Sequence, residues 1–152
     1  MKKIFIAIIL VIFISLSSFA EEYNWKQFSK FVYLNTDKIE YFKGDDGLQH
    51  AAICEKHLRN KKDDANNNVD KICMKHYNKH LGYMLTINDI NIDKKTCTLC
   101  YIILYDTQGK ELGSVELGKE EDCKPIPPLT VEDDIFQYVV NTKSSKDNRR
   151  MK

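Results

Sequence analysis

The chain has 152 residues, 43% of them hydrophobic, with 23 basic against 22 acidic side chains and a formal net charge of +1. That length suffices for one domain with a real core and is too short for two. It contains no G-x-S-x-G, no P-loop, no G-x-G-x-x-G and no H-E-x-x-H, so the commonest signatures of hydrolases, nucleotide binders and zinc proteases are absent.

In chain order, residues 1–20 (MKKIFIAIILVIFISLSSFA) are a lysine pair, an apolar run over 4–16 and small residues before Glu21. This is the pattern of a cleaved secretory signal peptide, and the apolar run falls short of the roughly 20 residues a spanning helix needs. Without Lys2 and Lys3 the exported part carries 21 basic and 22 acidic residues. The expected organisation is a signal peptide over 1–20, one exported α+β domain over 21–140, and a disordered basic tail over 141–152, where five basic residues meet one acid. Such a chain belongs in the periplasm, at the cell surface or outside the cell, with no integral membrane segment after cleavage.

The domain opens with β-prone runs at 31–34 and 38–42 around Asn35-Thr36-Asp37, then a turn at GDDG (44–47), so a first hairpin is expected. Trp25, Tyr33 and Tyr41 are candidates for core packing. Leu48, Ala51, Cys54 and Leu58 fit a helix face, although a strand also fits; 60–68 (NKKDDANNN) reads as an exposed loop; 69–82 has helical periodicity and a plausible stop at Gly82. From Tyr83 the pattern is β, with a phase slip at Asn88-Asp89 of the kind a bulge makes. TLCYIILY (98–105), the turn DTQGK and ELGSVEL (111–117) form a hairpin. KPIPP (124–128) is extended, and Thr130 caps a final helix whose buried side is Val131, Ile135, Tyr138 and Val139.

The chemistry-bearing residues concentrate in two stretches. HAAICEKH (50–57) and ICMKHYNKH (72–80) hold all four histidines and two of the five cysteines. If both were helices in an antiparallel hairpin, Cys54 would face Cys73, and His50 would lie near His76. Two chemistries then compete: a zinc or copper site, with His50, His76 and His80 as a histidine-only version, or a disulfide. Export favours the disulfide, because oxidation removes the thiolates that a metal would need. Five cysteines (Cys54, Cys73, Cys97, Cys100, Cys123) allow two bridges with one thiol left over. Cys97 and Cys100 sit in a β-rich run rather than at a helix N-terminus, so bridging of either to Cys123 is favoured over thioredoxin-like cycling.

KKTC, the apolar strand after it, YDTQGKELGS and above all KPIPPLTVEDDIFQYV resemble the C-terminal half of the bacterial surface-adhesin protein E family. NWKQF and VYLNTDKIEYFKGDDG are similar to that family's opening tryptophan and tyrosine-rich first hairpin. Two departures stand out. Family members typically end in a cysteine after the last helix, where this chain has Val139-Val140-Asn141, and Cys123 occupies a place often aromatic. The disulfide partner of Cys97 is therefore open, and residues 48–82 have no counterpart. The resemblance implies an antiparallel sheet with a flanking helix and a binding rather than catalytic role; some members attach to host matrix proteins.

The sequence thus leads to an α+β fold with a small antiparallel sheet, a C-terminal helix and an inserted helical hairpin, stapled by disulfides. The expected function is non-enzymatic binding of a host or envelope protein, with no nucleic acid partner and no obligatory cofactor. A periplasmic metal-binding or metal-sensing domain is the alternative, and a thiol oxidoreductase a distant third.

Overall fold

The computed structural model describes residues 23–117 and 123–150, with side chains in the last helix as far as residue 145. The expected signal peptide and the acidic run at 120–122 lie outside the described residues. The elements in order are β1 (Trp25–Gln27), β2 (Val32–Asn35), a 3-10 turn (Thr36–Lys38), β3 (Glu40–Lys43), β4 (Gln49–Leu58), α1 (Asp64–Tyr77), β5 (Leu81–Asn91), β6 (Thr96–Asp106), β7 (Glu111–Glu116), β8 (Lys124–Pro125) and α2 (Val131–Arg150).

β4, β5 and β6, the three long strands, form the centre of one antiparallel sheet ordered β1-β2-β4-β5-β6-β7, and β5 and β6 are rich in β-branched and aromatic residues. β3 also pairs with β4, and β8 with β6. β2 takes Glu55 to His57 on the edge of β4, while β3 takes Gln49 to Ala52. The 3-10 turn makes the step between them, and the Asn35 side chain accepts from Asp37 N at its start, 3.1 Å.

One face of the sheet carries Leu34, Ala51, Ile53 and Ile90, and α2 packs there through Ile135, Phe136 and Val139, with Ile126 from the proline segment. Thr130 caps α2 by accepting from Asp133 N, and three acids fill the first turn, where the helix dipole favours them. Three long-range polar contacts then seat the helix: Lys95 with Asp133 at 2.8 Å, Tyr41 Oη donating to Val139 O at 2.7 Å, and Lys143 donating to Gln49 at 2.8 Å. The opposite face has its own buried set: Cys54, Leu85, Ile87 and Ile103.

Several expectations are corrected. Residues 49–58 are a strand, so there is no inserted helical hairpin and α1 stands alone. The helical spacing of Ala51 and Cys54 arose because β4 is buried on both faces, which places apolar residues on odd and even positions alike. α1 begins inside the stretch expected to be loop, since Asp63 accepts from the N–H groups of Ala65 and Asn66. It ends at Asn78, which has a left-handed φ of 52°, and not at Gly82.

There is no disulfide staple: all five cysteines are free. The Cys54 to Cys73 pairing rested on two facing helices, and one of them is a strand. Cys97 lies opposite Lys124 in the β6 to β8 ladder, next to Cys123, as unbridged thiols. The bulge beside Ile87 and Asn88 lies in β6, with Cys100 as the extra residue, while β5 itself runs against β4 without a shift, so its apolar phase slip is not a bulge of its own. Leu85 and Ile87 point to one face and Ile90 to the other, so the slip marks a change of core. The stretch expected to be a disordered tail continues α2 as far as Arg150.

Candidate functional site

The predicted metal ligands are not brought together. His50 pairs with Asn91 at one end of β5, while His80 precedes Leu81 at the other. Ten strand steps separate those ends by about 33 Å. His76 is exposed in the last turn of α1. Among the described residues no group of three or more His, Cys, Asp or Glu is able to hold a metal. The zinc or copper site therefore does not form from His50, His76 and His80.

Each histidine near the sheet has a structural partner instead. His50 is clamped between two carboxylates, Nδ1 to Asp89 at 2.9 Å and Nε2 to Asp46 at 3.1 Å, with Asn91 at 3.2 Å and Phe42 stacked on the ring. It ties the GDDG turn to β5, and a β-carbon at Gly44 would come within 2.7 Å of its Nε2. Asp46 is held below the ordinary carboxylate range, chiefly by the Leu48 N–H, whereas burial raises Asp89. His57 meets Glu55 at 3.1 Å and Thr86 at 3.2 Å, and Asn88 donates to the other Glu55 oxygen at 2.9 Å. His80 joins Arg59 around Asp70, whose Oδ1 accepts from Leu81 N at 2.7 Å. These are joints between elements, with buried charge paired as it must be.

Cys54, Cys97 and Cys100 are set against thiolate chemistry. Burial first, and Glu55 second, push the Cys97 thiol up to about 12; burial and Asp89 raise Cys100 to about 11; burial and Glu55 raise Cys54 to about 12. A redox thiol needs the opposite shift.

The feature the sequence did not announce lies on the face opposite α2. Tyr83 of β5 and Tyr105 of β6 stack with centroids 4.6 Å apart and planes 10° from parallel. The Lys56 ammonium sits 4.3 Å from the Tyr83 centroid and 5.8 Å from that of Trp25, and Tyr23 meets Trp25 edge-on at 6.4 Å. Lys56, Tyr83 and Tyr105 are cross-strand or diagonal neighbours in register, so the side chains form one row over β1, β4, β5 and β6. All are half-buried, and Tyr105 is pushed up to about 12 by burial and then by Glu111, so its hydroxyl stays a donor. Trp25 had been expected in the core; it belongs to this row, Tyr33 is half-buried beside it on β2, and Tyr41 serves α2. No spacing rule finds such a row, since Trp25, Lys56, Tyr83 and Tyr105 are scattered along the chain.

No protein-family model, curated protein or solved structure matches this chain. Among the described residues no helix is long and apolar enough to cross a membrane.

Proposed function

We propose that the chain is an exported, non-enzymatic binding domain of the surface-adhesin protein E kind, which engages a host or envelope protein through the Trp25–Lys56–Tyr83–Tyr105 row. The observation that carries this is the row itself, a tryptophan, two tyrosines and a lysine in mutual ring contact and all half-buried. The core under α2 is closed over buried aliphatic residues and Phe136, with Phe28, Tyr41 and Tyr138 half-buried around them, whereas the row is half-buried throughout. Tyr and Trp dominate protein interfaces because they bury large rigid area and keep a hydrogen-bonding end. The segment KPIPP leading through the Thr130 cap into α2 supports the family reading. Metal sensing, the competing role, has no observation behind it, because its three histidines occupy separate places.

The test uses the exported chain and a panel of immobilised host matrix proteins. Saturable binding is expected to at least one of them, and to be lost in Trp25→Ala and in Tyr83→Ser with circular dichroism unchanged. Binding that survives both substitutions would place the site elsewhere, and absence of binding across the panel would overturn the adhesin-like assignment.

A further inference from the structure

The sheet order ends at β7, and among the described residues β7 pairs only with β6. Its outward hydrogen-bonding groups follow from one contact. Leu117 N donates to Cys100 O at 2.9 Å, so by the alternation of an antiparallel ladder Val115 points its N–H and C=O inward to β6, and Ser114 and Glu116 point theirs outward. The two faces of this edge differ in chemistry. On the α2 side Val115, 49% exposed, stands beside Ile102; next to it Gly113 leaves room for Tyr77, whose hydroxyl would be 2.5 Å from a β-carbon there. On the other side Glu111 pairs with Tyr105 and Glu116 with Tyr101, with Ser114 between them 3.4 Å from the Tyr101 hydroxyl.

From this edge we infer a strand-addition site for an extended segment of a partner protein in which apolar and basic residues alternate. Main-chain bonds to Ser114 and Glu116 supply the pairing. Alternate side chains then fall beside Val115 on one face and between Glu111 and Glu116 on the other, where lysine or arginine is matched and acid is repelled. A second copy of this chain is disfavoured as the occupant: antiparallel β7 strands would bring four glutamates onto one face of a single strand pair. Exposed edges are ordinarily blunted by lysine, proline or charge pointing inward. Here β7 has neither lysine nor proline, and its charges select by sign instead of closing the edge. The inference stands independently of the aromatic row.

The experiment titrates the full exported chain with two synthetic seven-residue peptides, one alternating lysine and valine and one alternating glutamate and valine, and reads binding by calorimetry and amide hydrogen exchange. The lysine peptide is expected to protect the Ser114 and Glu116 amides and to bind at least about tenfold more tightly than the glutamate peptide. Ser114→Pro removes an outward N–H without touching the β6 ladder and should abolish that protection. Glu116→Lys, which keeps the backbone intact, should narrow or reverse the preference between peptides. Equal affinity for both peptides, protection on a strand other than β7, unchanged preference in Glu116→Lys, or no binding of either peptide overturns the proposal.

Discussion

The two helices show how differently a segment can be tied to the same sheet. α2 buries Ile135, Phe136 and Val139 against Leu34, Ala51, Ile53 and Ile90, and its polar contacts to Tyr41, Lys95 and Gln49 are additions to that core. α1 buries only Asp70 and Cys73, and leaves Ile72, Met74 and Tyr77 exposed. Its attachment is a charged joint, Arg59, His80 and the Leu81 N–H converging on one carboxylate. The first is held by hydrophobic area, which carries no charge for salt to screen or pH to titrate. The second is held by directional bonds to an ionised group, which does carry such a charge.

The largest expected effect separates them by area alone. Ile135→Ala should cost about 3 kcal/mol, the cost typical of emptying a closed aliphatic site, whereas Ile72→Ala should stay within about 0.5 kcal/mol. Denaturant melts of the two variants measure both. Similar losses would mean that α1 has an apolar seat after all.

Asp70→Asn should come next, at about 2 kcal/mol, because it leaves Arg59 and the Leu81 N–H facing a neutral group just beneath the surface. Burial raises the Asp70 carboxyl, but the Leu81 N–H, His80 and Arg59 overcome it and hold the group below its ordinary 3.8. A depressed folded value means that this contribution is present above the unfolded value and lost as pH falls through the folded one. The gap between wild type and Asp70→Asn should therefore be full at neutral pH and close below about pH 4. A gap independent of pH would show that geometry, and not charge, ties α1 down.

The same contrast explains how much could be read in advance. α2 was legible because its signals are local: the Thr130 cap, acids in the first turn and one apolar side at helical spacing. The β6–β7 hairpin was legible for the same reason, with DTQGK between two β-prone runs. β4 was ambiguous because both of its faces are buried, Ala51 and Ile53 on one and Cys54 on the other, which erases the strict alternation that marks a half-buried strand. The start of α1 was hidden in NKKDDANNN because an Asp63 cap, not apolar periodicity, begins it. The histidine clusters misled through proximity in sequence. In a strand and an isolated helix, neighbours along the chain are carried to different joints. The aromatic row had the reverse problem, since its members meet only through strand register.

Tyr41→Phe should cost about 1 kcal/mol, the usual net value of one hydrogen bond, because the Val139 carbonyl loses its donor while the aromatic packing stays. Urea midpoints resolve such a difference at constant slope. A loss as large as that of Ile135→Ala would mean that the hydroxyl positions α2 rather than adding to a seat already made.

The smallest stability effect is expected at Lys56, on the face away from α2. Its ammonium gains from the Tyr83 and Trp25 rings, but cation–π pairs of this half-exposed kind contribute about 0.5–1 kcal/mol. Methionine keeps most of the stem that lies between the rings, so Lys56→Met should lower stability by less than about 1 kcal/mol. Binding to a matrix protein should nonetheless fall by at least about tenfold, since the ammonium is the charged group in the row. The opposite result, a large loss of stability with binding intact, would make the row a second core and move the proposed binding surface away from it.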